Sequence, residues 1–227
     1  KDAGFNGQGQ PFTLAQLVAQ IGAFPLDFKP GTDCCSTNSA QSTPIEEYLV
    51  ERVSGESFAT YLQRHFLGPL GLTHTGYFLH YPPSLPRLAV GYQSWQAPAP
   101  SNDLSSWGGA IYSTLTEYYS LEHALLTGRV LSAAATARLI TPAFTYCPPR
   151  CSYSNSTEAT TEGIFVSTWH GIREVSVQGF GAGPSGGPSV FGGRLFYFLA
   201  AKITVIFFTN LNDYQWLSAL MAPLIFS

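Results

Sequence analysis

The sequence predicts an α+β domain in which helices come first and an antiparallel sheet follows. Apolar residues recur at helical spacing up to about residue 140, and the period becomes that of β-strands after about residue 163. At 227 residues and 45% hydrophobic content, the chain is long enough to bury one continuous core. We therefore expect one domain over 1–227, with a helical region at about 13–140, a loop at 141–161, and a sheet plus final helix at 163–227.

Two helices are expected in the first quarter of the chain. The first covers Thr13 to Phe24, where apolar residues recur every three or four positions. The second is expected to begin at Thr43-Pro44, because a hydroxyl side chain precedes a proline there and Glu46 follows three residues after the threonine. It should end at Gly55. Its core-facing side is predicted to consist of apolar residues, namely Ile45, Tyr48, Leu49 and Val53.

Three further helices are delimited by caps and helix breakers. One is expected from Phe58 to Phe66, after which proline and glycine follow closely. Another begins at a capping box formed by Thr114 and Glu117 and runs to Thr127, and a short one is capped by Ser132. Residues 81–102 are rich in proline, serine and glutamine and lack periodicity, so a long surface loop is expected there.

Two β-hairpins are predicted in the last third of the chain. Their sequences are rich in β-branched and aromatic residues, which favour sheets, and the first hairpin turns at His170-Gly171. The apolar segment 214–226 is predicted to be a closing helix that packs against the sheet. The four predicted strands are 163–169, 174–178, 194–199 and 203–209.

Composition excludes two classes of partner and favours a third. The net charge is −3 and no basic cluster occurs, so nucleic acid is not an expected partner. The longest apolar stretch, Leu195 to Phe208, is interrupted by Lys202 and is shorter than the ~20 residues that span a bilayer, so no transmembrane segment is expected. Charged residues make up only 11%, against roughly 25% in typical domains. A surface this poor in charge favours contact with other protein subunits.

The cysteines and histidines indicate neither a metal nor a cofactor. Disulfides within or between the two cysteine clusters, free thiols and a zinc site all stay open, but the Cys-x2-Cys spacing of zinc ribbons is absent. The histidines are scattered without a ligand spacing, and no cofactor motif is present. The cysteines are Cys34, Cys35, Cys147 and Cys151.

Three segments carry a family resemblance. They read FKPGTDCCSTN at 28–38, ERVSGESF at 51–58 and GPLGLTHTGY at 68–77. Together they resemble the serine β-lactamase-like family, which includes class C β-lactamases, penicillin-binding DD-peptidases, related esterases and the mitochondrial β-lactamase-like protein. The resemblance implies a β-lactamase/transpeptidase-like fold. In that fold the sheet also contains N-terminal strands, which we expect this chain to lack.

The resemblance also implies a nucleophile that these residues do not contain. The family attacks acyl groups with the serine of a Ser-x-x-Lys motif, in which the lysine activates the hydroxyl. None of the three lysines, Lys1, Lys29 and Lys202, has a serine three residues before it. The motif would lie upstream of 28–38, so we expect no catalysis from the chain alone.

Two other family motifs supply the candidate site residues. Ser36-Thr37-Asn38 matches the Ser-x-Asn motif that assists proton transfer and orients substrate, but we favour the alternative that it is a polar loop that caps the next helix. Gly179-Phe180-Gly181 stands in the place of the Lys-Thr-Gly motif. There Gly181 is retained, while Gly179 replaces the expected cation or imidazole. The candidates by resemblance are therefore Ser36, Asn38 and Gly181.

Ser185 lies in a Gly-x-Ser-x-Gly sequence without the surroundings of a nucleophile. A nucleophile elbow needs a strand before the serine and a helix after it, whereas a glycine-rich loop and a strand follow Ser185. We interpret this segment as a turn.

Three functional hypotheses follow. The leading one is a catalytically degenerate domain that acts as a structural or interaction subunit of a larger assembly. The alternative is the larger fragment of an active serine hydrolase whose Ser-x-x-Lys lies on an upstream or separate segment. A third is a binding module for an unidentified peptide or acyl ligand. The compartment stays open, since mitochondrial residence follows only from one branch of the family.

Overall fold

The computed structural model describes residues 13–26, 29, 42–79, 85–94, 97–98, 110–145, 158–159, 164–169, 171–181 and 191–211. Five α-helices occur in these segments, and α3 continues into a π-helical turn at Gln63–Leu67. The predicted closing helix at 214–226 lies outside the described residues. The helices are α1 (Leu14–Ile21), α2 (Ser42–Ser54), α3 (Phe58–Leu62), α4 (Leu115–Leu126) and α5 (Ala133–Leu139).

A six-stranded antiparallel sheet follows the helices, which confirms the α+β class. Its order is β10-β9-β8-β7-β6-β5, and two small sheets pair β1 with β4 and β2 with β3. The strands are β1 (Gly76–Phe78), β2 (Tyr92–Ser94), β3 (Ala97–Pro98), β4 (Ala110–Tyr112), β5 (Phe144–Thr145), β6 (Glu158–Ala159), β7 (Phe165–Trp169), β8 (Ile172–Gly181), β9 (Phe191–Phe198) and β10 (Ile203–Thr209).

Side-chain caps begin four of the five described helices. A hydroxyl accepts a backbone N–H from the first turn in each case, from Thr13 at α1, Ser57 at α3, Thr114 at α4 and Ser132 at α5. Helix α1 ends at Ile21, three residues before the predicted end at Phe24. The caps at Thr114 and Ser132 are as predicted.

Short strands occur where the sequence predicts long loops. Strands β2 and β3 lie within the predicted loop 81–102, and β5 and β6 lie within the predicted loop 141–161. These strands have two or three residues each, too few to show an alternating pattern, and they exist because tertiary pairing aligns them. The prediction that 81–102 and 141–161 are wholly irregular is therefore wrong.

Helix α2 is rotated relative to the prediction. The side predicted to face the core is largely exposed, because Ile45, Leu49 and Val53 expose 43%, 60% and 80% of their surfaces. The residues that the helix buries are Pro44 and Glu47. The physical reason is that Glu47 accepts a hydrogen bond from the half-buried hydroxyl of Tyr77, which holds this side of the helix inward. The helix also begins at Ser42, one residue before the predicted cap.

Helix α4 joins two parts of the apolar core. Toward the helices, its Leu121 packs with Leu67 and Leu72, all buried. Toward the sheet, its Leu126 packs against the buried residues Ile164, Val166 and Val175. The helical region and the sheet therefore share one element. Among the described helices, none is long and apolar enough to cross a membrane.

Candidate functional site

Most of the predicted site residues lie outside the described part of the chain. Ser36, Asn38, Ser185 and the cysteines Cys34, Cys35, Cys147 and Cys151 all fall there, so their predicted roles stay predictions. Gly179 and Gly181 are described, and both belong to the last three residues of β8. Of the predicted site, the structure therefore describes only this end of β8.

The end of β8 carries one edge without a described partner strand. The pairing of β8 with β7 reaches Ser176, which lies opposite Phe165. Strand β8 continues to Gly181, and over these residues its pairing with β9 persists. Within the described segments, the backbone of 177–181 is therefore hydrogen-bonded to a strand on one side only. Such an edge can accept an extended peptide or acyl-amide group through its main-chain groups.

The glycines at this strand end have no side chains that could cover its backbone. Gly179 lies directly opposite Gly193 of β9, and Gly181 lies opposite Phe191. A Cβ added at Gly179 would meet no atom within 4 Å, whereas one at Gly193 would lie 2.9 Å from the ring of Phe208. A side chain at Gly193 would therefore press on the Phe208 ring, while the position of Gly179 is open to solvent or ligand.

Arg194 follows Gly193 in β9, but its side chain lies on the face of the sheet opposite to that of Gly179. Arg194 pairs with Gln178, and because successive residues of a strand point to opposite faces, its side chain does not share the face of Gly179. The Arg194 guanidinium carbon lies 4.5 Å from the centroid of the Phe196 ring. Arg194 therefore does not replace the cation that the family motif has at the position of Gly179.

Glu174 is a buried carboxylate on the same face as Arg194. Burial raises the pKa of Glu174, and a hydrogen bond from Ser167 together with the charge of Arg194 offsets only part of that effect. The Ser167 hydroxyl donates to Glu174 Oε1 over 2.8 Å. Glu174 lies five residues from Gly179 along β8, so it belongs to the middle of the strand and not to its open end.

A second cluster of polar side chains gathers around Glu117 in the first turn of α4. Its carboxylate accepts the backbone N–H of Thr73 at 3.0 Å and that of His74 at 2.9 Å, and the Thr75 hydroxyl donates to it at 2.7 Å. The ring of His74 also contacts it, with Nδ1 3.0 Å from Oε1. Burial alone would raise the pKa of Glu117, but the hydrogen bonds from these three residues outweigh it and lower that pKa.

The sequence assigned a different role to this carboxylate. A capping box would direct the Glu117 side chain back to the N–H of Thr114. In the structure the Thr114 hydroxyl accepts the N–H of Glu117, but the carboxylate crosses to residues 73–75 instead. The Thr-x-x-Glu pattern is the same whether the carboxylate caps its own helix or binds another segment. The difference lies in a contact between segments more than 40 residues apart, which the local sequence does not reveal.

The geometry around His74 is not that of a nucleophile and its base. The hydroxyl of Thr73 lies 3.1 Å from His74 Nδ1, the same nitrogen that faces Glu117. A catalytic histidine holds its carboxylate with one nitrogen and its nucleophile with the other. Among the described residues no group of three or more His, Cys, Asp and Glu side chains is placed to hold a metal ion. What the hydrogen bonds of Glu117 do show is a connection between the first turn of α4 and residues 73–75.

Comparison with known proteins decides the family. A family model described as Beta-lactamase matches residues 2–227. The chain belongs to the β-lactamase family. Over 100 residues it is 32% identical to PbpX of Bacillus subtilis (strain 168), a protein named for the penicillin-binding proteins, and this match covers 42% of the chain and 25% of PbpX.

Solved structures of β-lactamase-like proteins share the fold. A penicillin-binding protein from Bacillus halodurans superposes with a TM-score of 0.73 at 18% identity, covering 98% of this chain and 64% of that one. A D-stereospecific amidohydrolase from Streptomyces sp. gives a TM-score of 0.72 at 19% identity, covering 96% of this chain and 62% of that one. The chain thus spans less than two thirds of these neighbours and a quarter of PbpX.

Proposed function

We propose that these 227 residues act as a β-lactamase-like scaffold that associates with further protein and does not hydrolyse acyl bonds by itself. The supporting observation is chemical. A serine is a weak nucleophile unless a base activates it, and the family's base is a lysine three residues after the serine. No lysine of this chain stands in that relation to a serine.

The open end of β8 supports retention of a binding edge. Its bare backbone can pair with an extended acyl-peptide, but Gly179 offers neither a cation nor an imidazole to a substrate carboxylate. Recognition there would rest on main-chain hydrogen bonds alone. We expect such a ligand to bind weakly and without turnover.

Covalent labelling tests the absence of hydrolysis. The purified chain is incubated with a fluorescent penicillin and, separately, with a fluorophosphonate, with an active penicillin-binding protein as the positive control. We expect labelling of the control and none of the chain. An adduct located by mass spectrometry on any serine of the chain, Ser36 and Ser185 included, would refute the proposal.

A second candidate is an active serine hydrolase that becomes complete when a nucleophile-bearing segment is added. Coverage favours it, since more than a third of the Bacillus halodurans and Streptomyces proteins has no counterpart in this chain. The complete coding sequence tests it, because an upstream Ser-x-x-Lys is required. If one is present, the longer protein should react with the same two probes, and a longer protein that carries the motif yet stays unlabelled would contradict this candidate.

A further inference from the structure

Three neighbouring strands present two glycines and a phenylalanine in a row on one face of the sheet. Gly179 of β8 lies directly opposite Gly193 of β9, and Gly193 lies opposite Phe208 of β10. Residues that are directly opposite each other in an antiparallel sheet share a face. We call Gly179, Gly193 and Phe208 the glycine row.

The glycine row has an open end at β8 and an aromatic end at β10. A Cβ at Gly193 would lie 2.9 Å from the Phe208 ring, so this ring leans over Gly193, whereas a Cβ at Gly179 would meet no atom within 4 Å. Phe208 is 42% exposed, and its ring centroid lies 5.2 Å from that of Tyr118 on α4. The open end is therefore bare backbone beside an aromatic surface.

The hydrogen bonds of β8 determine the register of a peptide added to its edge. The N–H of Leu199, just after β9, donates to the Arg173 carbonyl over 3.3 Å, so Arg173 directs its main-chain groups toward β9. In an antiparallel strand this direction alternates from one residue to the next. Gly179 therefore also faces β9. The main-chain groups of Gln178 and Phe180 point to the edge that has no described partner strand.

An antiparallel peptide at this edge would form hydrogen-bonded pairs with Gln178 and Phe180. The peptide residue between these two pairs would lie opposite Gly179 in a non-hydrogen-bonded pair, in which the two Cα atoms approach to about 4.5 Å. Its side chain would share the face of the glycine row. Because strands lie about 4.8 Å apart, only a long side chain can cross Gly179 and reach the Phe208 ring above Gly193.

We infer that the open edge of β8 binds an extended peptide that places an aromatic side chain opposite Gly179. An aromatic residue that covers a glycine of an edge strand stabilises a sheet, and two rings gain further energy when their edges and faces meet. Val177 on β8 and Phe191 on β9 flank the row on the same face, and both are apolar. An aromatic side chain therefore fits this place better than a charged one.

This inference rests on the binding edge of the proposed function and adds the class of ligand. Main-chain hydrogen bonds are available to any peptide sequence, since every residue other than proline carries the same N–H and C=O groups. The glycine row would distinguish one sequence from another, because the space above Gly179 accepts a side chain of the ligand.

Fluorescence polarisation with three peptides tests the preference. The peptides are short, blocked at both ends and rich in β-branched residues, and they differ only at the central position, which is phenylalanine, leucine or alanine. We expect the purified chain to bind the phenylalanine peptide about tenfold more tightly than the alanine peptide, with leucine between them, because the ring buries the most apolar surface. Equal affinities for the phenylalanine and alanine peptides would overturn the inference.

A variant at Gly179 tests whether the preference arises at the glycine row. Gly179→Val places a side chain in the open space, and circular dichroism checks that it folds; Gly179→Ala serves the same purpose if it does not. The affinity ratio of the phenylalanine and alanine peptides should fall to about threefold or less. Thr168→Ala, at an exposed residue of β7, is the control and should keep the wild-type ratio. An unchanged ratio in Gly179→Val would contradict the inference.

N-methylation of the phenylalanine peptide tests the register. The residues before and after the phenylalanine direct their N–H groups to β8 in the inferred pairing, so a methyl group on either nitrogen should abolish binding. A methyl group on the phenylalanine nitrogen, which points away from β8, should leave most of the affinity. The reverse pattern would refute the register and with it the place of the ring.

The outcomes separate this inference from the proposed function. Equal binding of the phenylalanine and alanine peptides, with slower hydrogen exchange of the amides of 177–181, would remove the aromatic preference and keep the binding edge. Absence of binding by all three peptides would overturn both. A penicillin or fluorophosphonate adduct would contradict the non-hydrolytic scaffold and leave the peptide preference standing.

Discussion

Replacement of Glu117 by alanine should destabilise the protein by about 3 to 4.5 kcal/mol, which is the sum of four contributions. A hydrogen bond to a charged group contributes about 1.5 to 3 kcal/mol net when its donor is buried, which applies to Thr75. The N–H groups of Thr73 and His74 belong to exposed residues, so water replaces the lost acceptor and about 0.5 kcal/mol each is a better figure. Loss of a negative charge from the first turn of α4 adds about 0.5 kcal/mol.

Urea unfolding followed by circular dichroism measures this loss at pH 7, with Glu46→Ala on the exposed side of α2 as the control, for which we expect less than about 0.5 kcal/mol. The pH dependence adds a second readout. Because the folded state lowers the pKa of Glu117 from 4.5, its stabilisation is present above the unfolded-state pKa and is lost as pH falls through the folded pKa. The difference between wild type and Glu117→Gln should therefore shrink below about pH 4.5. A loss equal to the control, or a difference unchanged from neutral to strongly acidic pH, would refute the structural role.

Two further predictions concern buried contacts. Tyr77→Phe should cost about 1 to 3 kcal/mol in urea unfolding, because it removes a donor from the buried carboxylate of Glu47; a change below about 0.5 kcal/mol would mean that another donor takes its place. Gly193→Ala should cost about 1 to 3 kcal/mol, since its Cβ would press on the Phe208 ring. The control is Gly179→Ala at the cross-strand partner of Gly193, and we expect it to leave the free energy of unfolding unchanged or slightly raised. Equal losses at the two glycines would contradict the open space at Gly179.

Local signals were enough to predict the elements that local contacts create. The hydroxyl caps at Thr114 and Ser132 act within one helical turn, so sequence spacing alone identifies them. The two hairpins of the sheet are long enough to show a strand pattern, and the turn at Gly171 has the positive φ of 80° that favours glycine. Strands such as β5 have two residues and no pattern of their own. They depend on a neighbour that the sequence does not identify.

In the candidate site, too, local features could be predicted from the sequence and long-range contacts could not. The predicted strand ended at Gln178, just before Gly179 and Gly181, whereas in the structure β8 continues through both glycines. The use of Glu117 was missed because its carboxylate joins α4 to a segment more than 40 residues earlier. A Thr-x-x-Glu pattern reports that a carboxylate is available in the first helical turn, and the fold decides which donors it accepts.

Helix α2 shows how specific hydrogen bonds orient a helix against its own apolar pattern. Full burial of a Leu, Ile or Val side chain contributes about 1.5 to 3 kcal/mol, so the exposed fractions of Leu49 and Val53 alone forgo about 2 to 4 kcal/mol. Turning the helix inward would recover this but would break the hydrogen bonds that the Tyr77 hydroxyl and the Phe58 N–H donate to Glu47 and Glu51. Periodicity identifies the apolar side of α2, whereas these two contacts decide which side of the helix faces the core. The Tyr77 contact joins segments 30 residues apart, so no local pattern could have predicted the orientation of the helix.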